Sequence, residues 1–170
     1  MSNVSHTGRR YSLKSSDTKN LLVETSEKLK VDLSKFIDSK ASIEAVEIGK
    51  GDLFLVNTKP VLFRLGKNVY PTLLFEEIIE SLPRVVVDMG AVRHVCNGAD
   101  IMAPGIVRFE GEFTKGALII VVDVKYRKRL ALGETQYNSE EAKDVKKGAV
   151  VKNVHFVSDE IWDAMKALEK

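Results

Sequence analysis

One segment of the sequence, residues 88–106, combines turn-forming residues with polar side chains at a spacing that suits ligand binding. It reads DMGAVRHVCNGADIMAPGI, in which Asp88 is placed to cap a short helix and turn positions fall at Gly90, Gly98, Pro104 and Gly105. Small residues let a second backbone approach closely, and the start of a helix beside Gly90 offers unpaired amide donors suited to a phosphate. The same pattern is equally typical of tight turns between barrel strands, and the residues alone favour neither interpretation.

A second candidate is the basic run KYRKR at residues 125–129. Arg127 and Lys128 can contact phosphate, and Tyr126 can stack on a base. An equally good interpretation is a solvated hairpin turn whose charges maintain solubility.

Other arrangements that carry chemistry are missing from the sequence. It holds no GxxxxGK[ST], GxGxxG, HExxH or GxSxG motif. His94 and Cys96 are two positions apart on a predicted helix, where side chains diverge by about 200° and cannot form a nucleophile and base pair. The single cysteine allows neither an intramolecular disulfide nor a cysteine-based zinc site. We therefore expect a protein that is not an enzyme and that uses no metal or cofactor.

The composition is that of a compact, water-soluble chain. The 170 residues are 44% hydrophobic and 29% charged, with a formal net charge of only +2, which suits one domain or two small ones. This balance excludes a polybasic protein, so nucleic-acid binding must depend on a local patch. The longest apolar run, residues 117–122, is the size of a strand rather than of a membrane span. The sequence predicts a cytoplasmic protein that does not insert into membranes.

The elements that position these residues fall into two halves. In the first half, the pattern predicts a helix over residues 18–30, a short helical stretch around 31–36 and, from alternation between residues 43 and 66, a three-strand meander. Helical spacing then predicts a connecting helix that begins at Pro71 and ends before Pro83. We expect one domain over residues 1–82.

The second half is richer in short strands. Residues 85–87 predict a strand, followed by the helix that Asp88 caps and that stops at Gly98. A hairpin around Lys125 and Tyr126, a short helix ending at Gly148 and a last strand over AVVKNVHFV follow. We expect a small mixed barrel over residues 83–158 and a C-terminal helix, residues 159–170, that packs back on the protein. The predicted fold class is α+β.

The pattern D-x-G-A-[VI]-x-x-V-x-x-G-A-[DN]-I-M-x-P-G-I, present from Asp88 to Ile106, resembles the signature of the PUA domain. This RNA-binding module is named for pseudouridine synthases and archaeosine transglycosylases. The resemblance continues in LALGET, KGAVVK and VHF at residues 130–135, 147–152 and 154–156. Outside the module, YPTL, FLVN, VLFR and the closing D-x-x-W at residues 70–73, 54–57, 61–64 and 159–162 are similar to the malignant T-cell-amplified-sequence family and its archaeal relatives.

The resemblance implies both a fold and a function. That family joins an N-terminal pre-PUA domain, with helices and an antiparallel meander, to a C-terminal PUA pseudo-barrel. Its members act on the small ribosomal subunit in translation initiation, reinitiation and recycling, where the PUA domain is associated with the tRNA acceptor end. The implied partners are therefore RNA (the tRNA acceptor end or ribosomal RNA), the small ribosomal subunit and a translation-factor protein, without a membrane.

PUA modules bind RNA between the helix after the first strand, the glycine-rich loop and a late strand. In this chain these are residues 90–97, 98–105 and 150–152. Arg93 is suited to forking onto phosphate or stacking on a base, and Asp100 to accepting a hydrogen bond from an exocyclic amine. With the basic run, the expected RNA-binding residues are Gly90, Ala91, Arg93, Asn97, Gly98, Ala99, Asp100, Met102, Pro104, Gly105, Arg127, Lys128, Val151 and Lys152.

The two halves differ in charge. Residues 1–75 hold 12 Lys and Arg against 8 Asp and Glu, whereas residues 76–170 hold 14 against 16. The half with the RNA signature is not the basic one, which favours recognition of a single-stranded end by shape and hydrogen bonds with few phosphate contacts. Two alternatives stay open, namely a non-catalytic RNA-binding subunit of a tRNA-modifying enzyme and a protein-interaction adaptor.

Overall fold

The structure is a computed structural model that describes residues 7–169. The chain forms two compact units. The first contains the described residues up to Glu77 together with those from Asp163 onward, and the second is Ile78–Trp162. None of the helices in the described part of the chain is long and apolar enough to span a membrane.

The first unit is built on a five-stranded antiparallel sheet whose strands follow the order of the chain, β1-β2-β3-β4-β5. Its strands are β1 (Thr7–Ser12), β2 (Ile43–Ile48), β3 (Gly51–Val56), β4 (Lys59–Leu65) and β5 (Asn68–Pro71). Helix α1 (Ser15–Leu29) and a 3₁₀ turn (Leu33–Lys35) connect β1 to β2. The predicted meander is therefore present, with one further strand on each side.

Pro71 ends a strand instead of starting a helix, so the prediction of a helix from Pro71 is wrong. Pro71 lies in β5 opposite Leu62 of β4, and β5 is an edge strand of the sheet. Proline fits an edge strand because no second neighbouring strand requires the N–H that proline lacks. Helix α2 (Glu76–Ser81) begins only after this strand and an intervening turn.

The second unit contains a six-stranded mixed sheet in the order β7-β11-β10-β9-β6-β8. Its strands are β6 (Arg84–Val87), β7 (Ile101–Met102), β8 (Ile106–Glu110), β9 (Leu118–Asp123), β10 (Arg129–Thr135) and β11 (Ala149–Phe156). The remaining helices are α3 (Met89–Val95), α4 (Ser139–Ala142) and α5 (Glu160–Leu168). Strand β6 lies between β9, which is parallel to it, and β8, which is antiparallel.

The core of the second unit explains why these segments become strands. Val85 and Val87 of β6 are fully buried and pack with Ile119 and Val121 of β9 and with Ile101 of β7. Runs of β-branched residues fit a strand that is covered on both faces. The predicted junction of strand and helix, the hairpin and the last strand are all present, and the α+β fold class is confirmed.

Candidate nucleic-acid interface

Helix α3 starts where the predicted cap places it. The Asp88 carboxylate accepts a hydrogen bond from the Ala91 amide at 2.9 Å, and the helix spans seven residues. This carboxylate occupies the helix start with a negative charge, which opposes a phosphate at the same place. The helix start beside Gly90 is therefore better suited to an uncharged group than to the phosphate that its sequence suggested.

The turn before β8 lies directly against this helix. A 3₁₀ turn (Ala103–Gly105) precedes the strand, and the Asp88 amide donates to the Gly105 carbonyl at 3.0 Å. A Cβ atom on Gly105 would lie 3.2 Å from the Cβ of Ala91, closer than ordinary van der Waals contact. Glycine at this position therefore lets the turn pack against α3.

The loop after α3 is closed by its own backbone. The Gly98 amide donates to the Val95 carbonyl and the Ala99 amide to the His94 carbonyl, both at 3.0 Å. Gly98 has a φ of +93°, in the region that side chains disfavour, and a Cβ there would lie 3.2 Å from the ring of Phe156. Gly98 is therefore required for the shape of the loop, and a bulky residue there cannot leave the fold unchanged.

Strand β11 holds this loop through Asn153. The Asn153 side-chain amide donates to the Val95 and Ala99 carbonyls, each at 3.0 Å, and its backbone amide donates to the Asp100 carboxylate at 2.9 Å. One carboxylate oxygen of Asp100 is thereby engaged within the protein. Asn153 thus fixes both ends of the loop relative to the sheet.

These elements enclose a groove of about 450 Å³, called the α3 groove below. Its lining is mostly apolar and its volume lies within the range of small-ligand sites. Met102 is 48% exposed at this groove, although methionine side chains are ordinarily buried. The lining residues are Val87, Asp88, Gly90, Ala91, His94, Val95, Ala99, Asp100, Ile101, Met102, Pro104 and Gly105.

Seven of the predicted RNA-binding residues meet in this groove: Gly90, Ala91, Ala99, Asp100, Met102, Pro104 and Gly105. Three others, Arg93, Asn97 and Gly98, are exposed on the same helix and loop but do not line it. Lys152 is exposed in an adjacent depression that it shares with Asp100. The expected RNA-binding residues include both Ala91 and Arg93, although Arg93 lies about 200° from Ala91 around the helix and so on a different face.

Val151 does not belong to the surface. Its side chain is fully buried in the core of the second unit, so its prediction as an RNA-binding side chain is wrong. The neighbouring Val150 is buried as well. Two consecutive buried residues break the usual alternation of a strand, and irregular register on both sides of β11 accompanies them.

The basic hairpin between β9 and β10 is shaped by a buried carboxylate. Asp123 accepts hydrogen bonds from the backbone amides of Tyr126 at 2.5 Å and Lys128 at 2.9 Å. Burial opposes its charge, but these amides lower the pKa of Asp123 overall. The Tyr126 ring is 60% exposed, with the Lys125 and Lys128 ammonium groups 5.0 and 5.9 Å from its centroid.

Arg127 has a partner within the protein. Its guanidinium forms a bidentate ion pair with Glu110 at 2.9 and 2.5 Å, and Arg108 reaches the same carboxylate at 3.1 Å. Hydrogen bonds from Arg127 and then from Arg108 lower the pKa of Glu110 to about 2. A phosphate would have to compete with Glu110 for Arg127, whereas Lys128 is exposed at the hairpin.

Six residues of the site were not among the predicted RNA-binding residues: Val87, Asp88, His94, Val95, Ile101 and Asn153. His94 lines the α3 groove, and Asn153 holds its loop. Helical spacing carries a signal for His94, because residues 90, 91, 94 and 95 share one face of α3.

Cys96 is partly buried, and burial raises the pKa of its thiol, which agrees with the expectation that it is not a nucleophile.

Known domain families cover both units of the chain. Residues 83–157 match the PUA domain family, and residues 2–76 match the Pre-PUA-like domain family. The crystal structure of a hypothetical protein from Pyrococcus horikoshii has a TM-score of 0.75 and 31% sequence identity, over 92% of this chain and 99% of that one.

Similar proteins extend over most of the chain. An uncharacterized protein of Methanocaldococcus jannaschii is 34% identical over 158 residues, 91% of this chain and 96% of that protein. Translation machinery-associated protein 20 of Saccharomyces cerevisiae is 29% identical over 84% of this chain and 83% of its own length. Malignant T-cell-amplified sequence 1 of Rattus norvegicus is 27% identical over 85% and 82%. The resemblance seen in the sequence is thereby confirmed, and the chain belongs to the family of proteins that join a pre-PUA domain to a PUA domain, which includes the malignant T-cell-amplified-sequence proteins.

Proposed function

We propose that this protein binds RNA in translation and that the α3 groove holds the single-stranded acceptor end of a tRNA. The observation that carries the proposal is the groove itself, because it gathers seven of the expected RNA-binding residues around one mostly apolar cavity of about 450 Å³. The PUA domain is an RNA-binding module. A relative over most of the chain is named a translation machinery-associated protein.

The lining of the groove suits a base better than a phosphate. Gly90, Ala91 and Ala99 leave room for a flat ring, and Met102 offers an exposed apolar surface for it. Asp88 and Asp100 supply acceptors in the lining, where they favour amino groups of bases and repel phosphate. Bases reach such a groove only when they are unpaired, as they are at the end of a strand.

The charge of the second half supports the same conclusion. Residues 76–170 carry 14 basic against 16 acidic residues, too few to neutralise many phosphates. Because counterion release makes phosphate binding depend steeply on salt, recognition by the groove alone has a shallow salt dependence. The exposed Arg93, Lys128 and Lys152 are available for the few phosphates next to the bound end.

The test compares two forms of one tRNA, intact and with its single-stranded 3′ nucleotides removed, by fluorescence anisotropy. We expect the trimmed form to bind at least tenfold more weakly. A Gly90→Leu variant places a side chain in the groove and narrows it. The backbone accommodates this substitution, since a Cβ at residue 90 approaches only the Asp88 carboxylate, at 3.3 Å. The variant is expected to lose the preference for the intact end, while Met89→Leu, an exposed neighbour outside the lining, keeps it.

Equal binding of the two tRNA forms would remove the acceptor end from the proposal. A retained preference in Gly90→Leu would remove the α3 groove. Arg93→Ala tests a separate contact, because Arg93 has no hydrogen-bond or ion-pair partner among residues 7–169. Its loss is expected to weaken both tRNA forms by a similar factor.

We also propose the small ribosomal subunit as the place of action. The first half carries 12 basic against 8 acidic residues, which suits contact with ribosomal RNA. The protein is expected to sediment with purified small subunits in low salt and to be released by raised salt. Co-purification with a tRNA-modifying enzyme in place of the subunit would support the alternative assignment.

A further inference from the structure

Strand β8 lies at one edge of the six-stranded sheet. It pairs with β6 on one side, from Arg84 opposite Glu110 to Val87 opposite Ile106. The outer edge of a terminal strand presents backbone donors and acceptors, which another extended chain is able to use. This edge is distinct from the α3 groove.

A second groove, called the β8 groove below, runs beside this strand and has a volume of about 460 Å³. Four consecutive residues of the strand, 106–109, line it next to Ala103 and Pro104. Its other wall consists of Ala142, Lys143, Val145 and Lys146. Side chains of a strand alternate between its two faces, so a cavity that touches four in a row extends along the edge of the strand. No backbone hydrogen bond joins the two walls within the described residues.

Apolar side chains form part of the surface of the β8 groove. Val107 is 49% exposed, and Ile106 and Phe109 are only partly buried. Ala142 and Val145 face them from the other wall. An aliphatic side chain of a bound strand would cover this surface.

The charged residues that line the β8 groove are all cations: Arg108, Lys143 and Lys146. Arg108 bonds to Glu110 at 3.1 Å. Lys143 and Lys146 are exposed, and no side chain in the described part of the chain pairs with either. The groove therefore favours a ligand that carries negative charge beside apolar groups.

We propose that the β8 groove binds an extended acidic segment of a partner protein, which pairs with β8 as an additional strand. Alternating acidic and aliphatic residues place carboxylates toward Lys143 and Lys146 and aliphatic groups toward Val107. The open strand edge matches the alternating N–H donors and C=O acceptors of a peptide backbone, a pattern that a sugar-phosphate chain does not repeat. The aromatic ring in the lining, Phe109, is partly buried and packs against Phe113, with ring centroids 5.4 Å apart. The groove therefore lacks the exposed stacking platform that is typical of a single-stranded RNA site.

The experiment uses the full chain and a fluorescein-labelled hexapeptide in which glutamate and valine alternate. Saturable binding is expected by anisotropy, with backbone amide shifts in the NMR spectrum confined to residues 106–110 and 142–146. The double variant Lys143→Glu with Lys146→Glu is expected to bind at least tenfold more weakly. Lys147→Glu is the matched control, since Lys147 is exposed nearby but does not line the groove.

Two further probes test the mode of binding. A peptide of the same sequence with alternate backbone amides methylated, so that its paired edge lacks donors, is expected to lose at least tenfold in affinity. Equal affinity of this peptide, equal effects of the groove and control lysines, or no saturable binding up to millimolar peptide would each overturn the proposal. A short single-stranded RNA that displaces the peptide and needs the same two lysines would overturn it in favour of a nucleic-acid site.

Discussion

Replacement of Asn153 by alanine tests how the α3 groove is held together. The variant removes two hydrogen bonds from the Asn153 side chain, to the Val95 and Ala99 carbonyls, each 3.0 Å long. The backbone amide of residue 153 keeps its bond to Asp100, because that bond does not involve the side chain. The perturbation therefore releases the loop after α3 without unpairing strand β11.

The size of the effect follows from the environment of the two bonds. Each hydrogen bond contributes about 0.5–1.5 kcal/mol net, so the pair contributes about 1–3 kcal/mol. The bond to Ala99 is exposed, and water replaces it when the side chain is removed. The bond to Val95 is partly buried, but that carbonyl also accepts from Gly98. We therefore expect a loss in the lower half of the range, about 1–2 kcal/mol.

Urea unfolding of the wild type and of Asn153→Ala measures this loss of unfolding free energy. With the dependence on urea that is typical of small proteins, the unfolding midpoint of the variant is expected to be lower by about 0.5–1 M. Native-state amide exchange locates it, with faster exchange at Gly98 and Ala99. Asn138→Ala is the matched control, because that side chain also bonds the backbone, where it accepts from the Lys115 amide, far along the chain from the loop. A change below about 0.3 kcal/mol with unchanged exchange at Gly98 and Ala99 would refute the role of Asn153.

Three further predictions concern other features of the second unit. Gly98→Ala is expected to destabilise the protein by more than Gly148→Ala. Both glycines have a positive φ, which costs an alanine about 1–2 kcal/mol, but only a Cβ at residue 98 also approaches Phe156. Equal losses of unfolding free energy in urea would contradict the contact with Phe156. The pKa of Glu110 is lowered from 4.5 to about 2, so its stabilising charge is complete above the unfolded-state pKa and is lost as the pH falls toward 2. The difference in urea midpoint between wild type and Glu110→Gln should therefore shrink between pH 5 and pH 2, and a constant difference would exclude the ion pair as its cause. Tyr126→Ala is expected to weaken tRNA binding about fivefold, since stacking on one ring contributes about 1–3 kcal/mol, and unchanged affinity would leave the hairpin with a role in solubility only.

The sequence predicted the parts of the site that depend on neighbouring residues. Asp88 follows a β-branched strand and precedes a short helix, and Gly98 and Gly105 follow from local turn geometry. The sequence therefore singled out the segment whose residues line the α3 groove. Asn153 was missed because its bonds join residues 53–58 positions apart, and no local pattern carries such a pairing. Val151 was misplaced because two neighbouring valines of β11 are both buried, against the alternation of an ordinary strand.

The first unit illustrates a different limit. Residues 70–82 have helical spacing, yet Pro71 completes β5 and the helix begins at Glu76. Strand β1 has the sequence TGRRYS, with little apolar alternation, and it is an edge strand whose Arg10 pairs with Glu44 of β2 at 2.7 Å. Pairing with a neighbouring strand determines the structure of both segments. The periodicity of the sequence carries no information about such pairing.

The bonds from Asn153 to the loop of the α3 groove also bear on the order of events during synthesis. A ribosome that has released residues 88–106 has made every residue that lines the groove, but the strand that fastens its loop comes about fifty residues later. Contacts so distant along the chain form only after the intervening segment is available. The groove is therefore completed only after β11 has been made, and a chain that stops before β11 carries residues 88–106 without the strand that holds the loop.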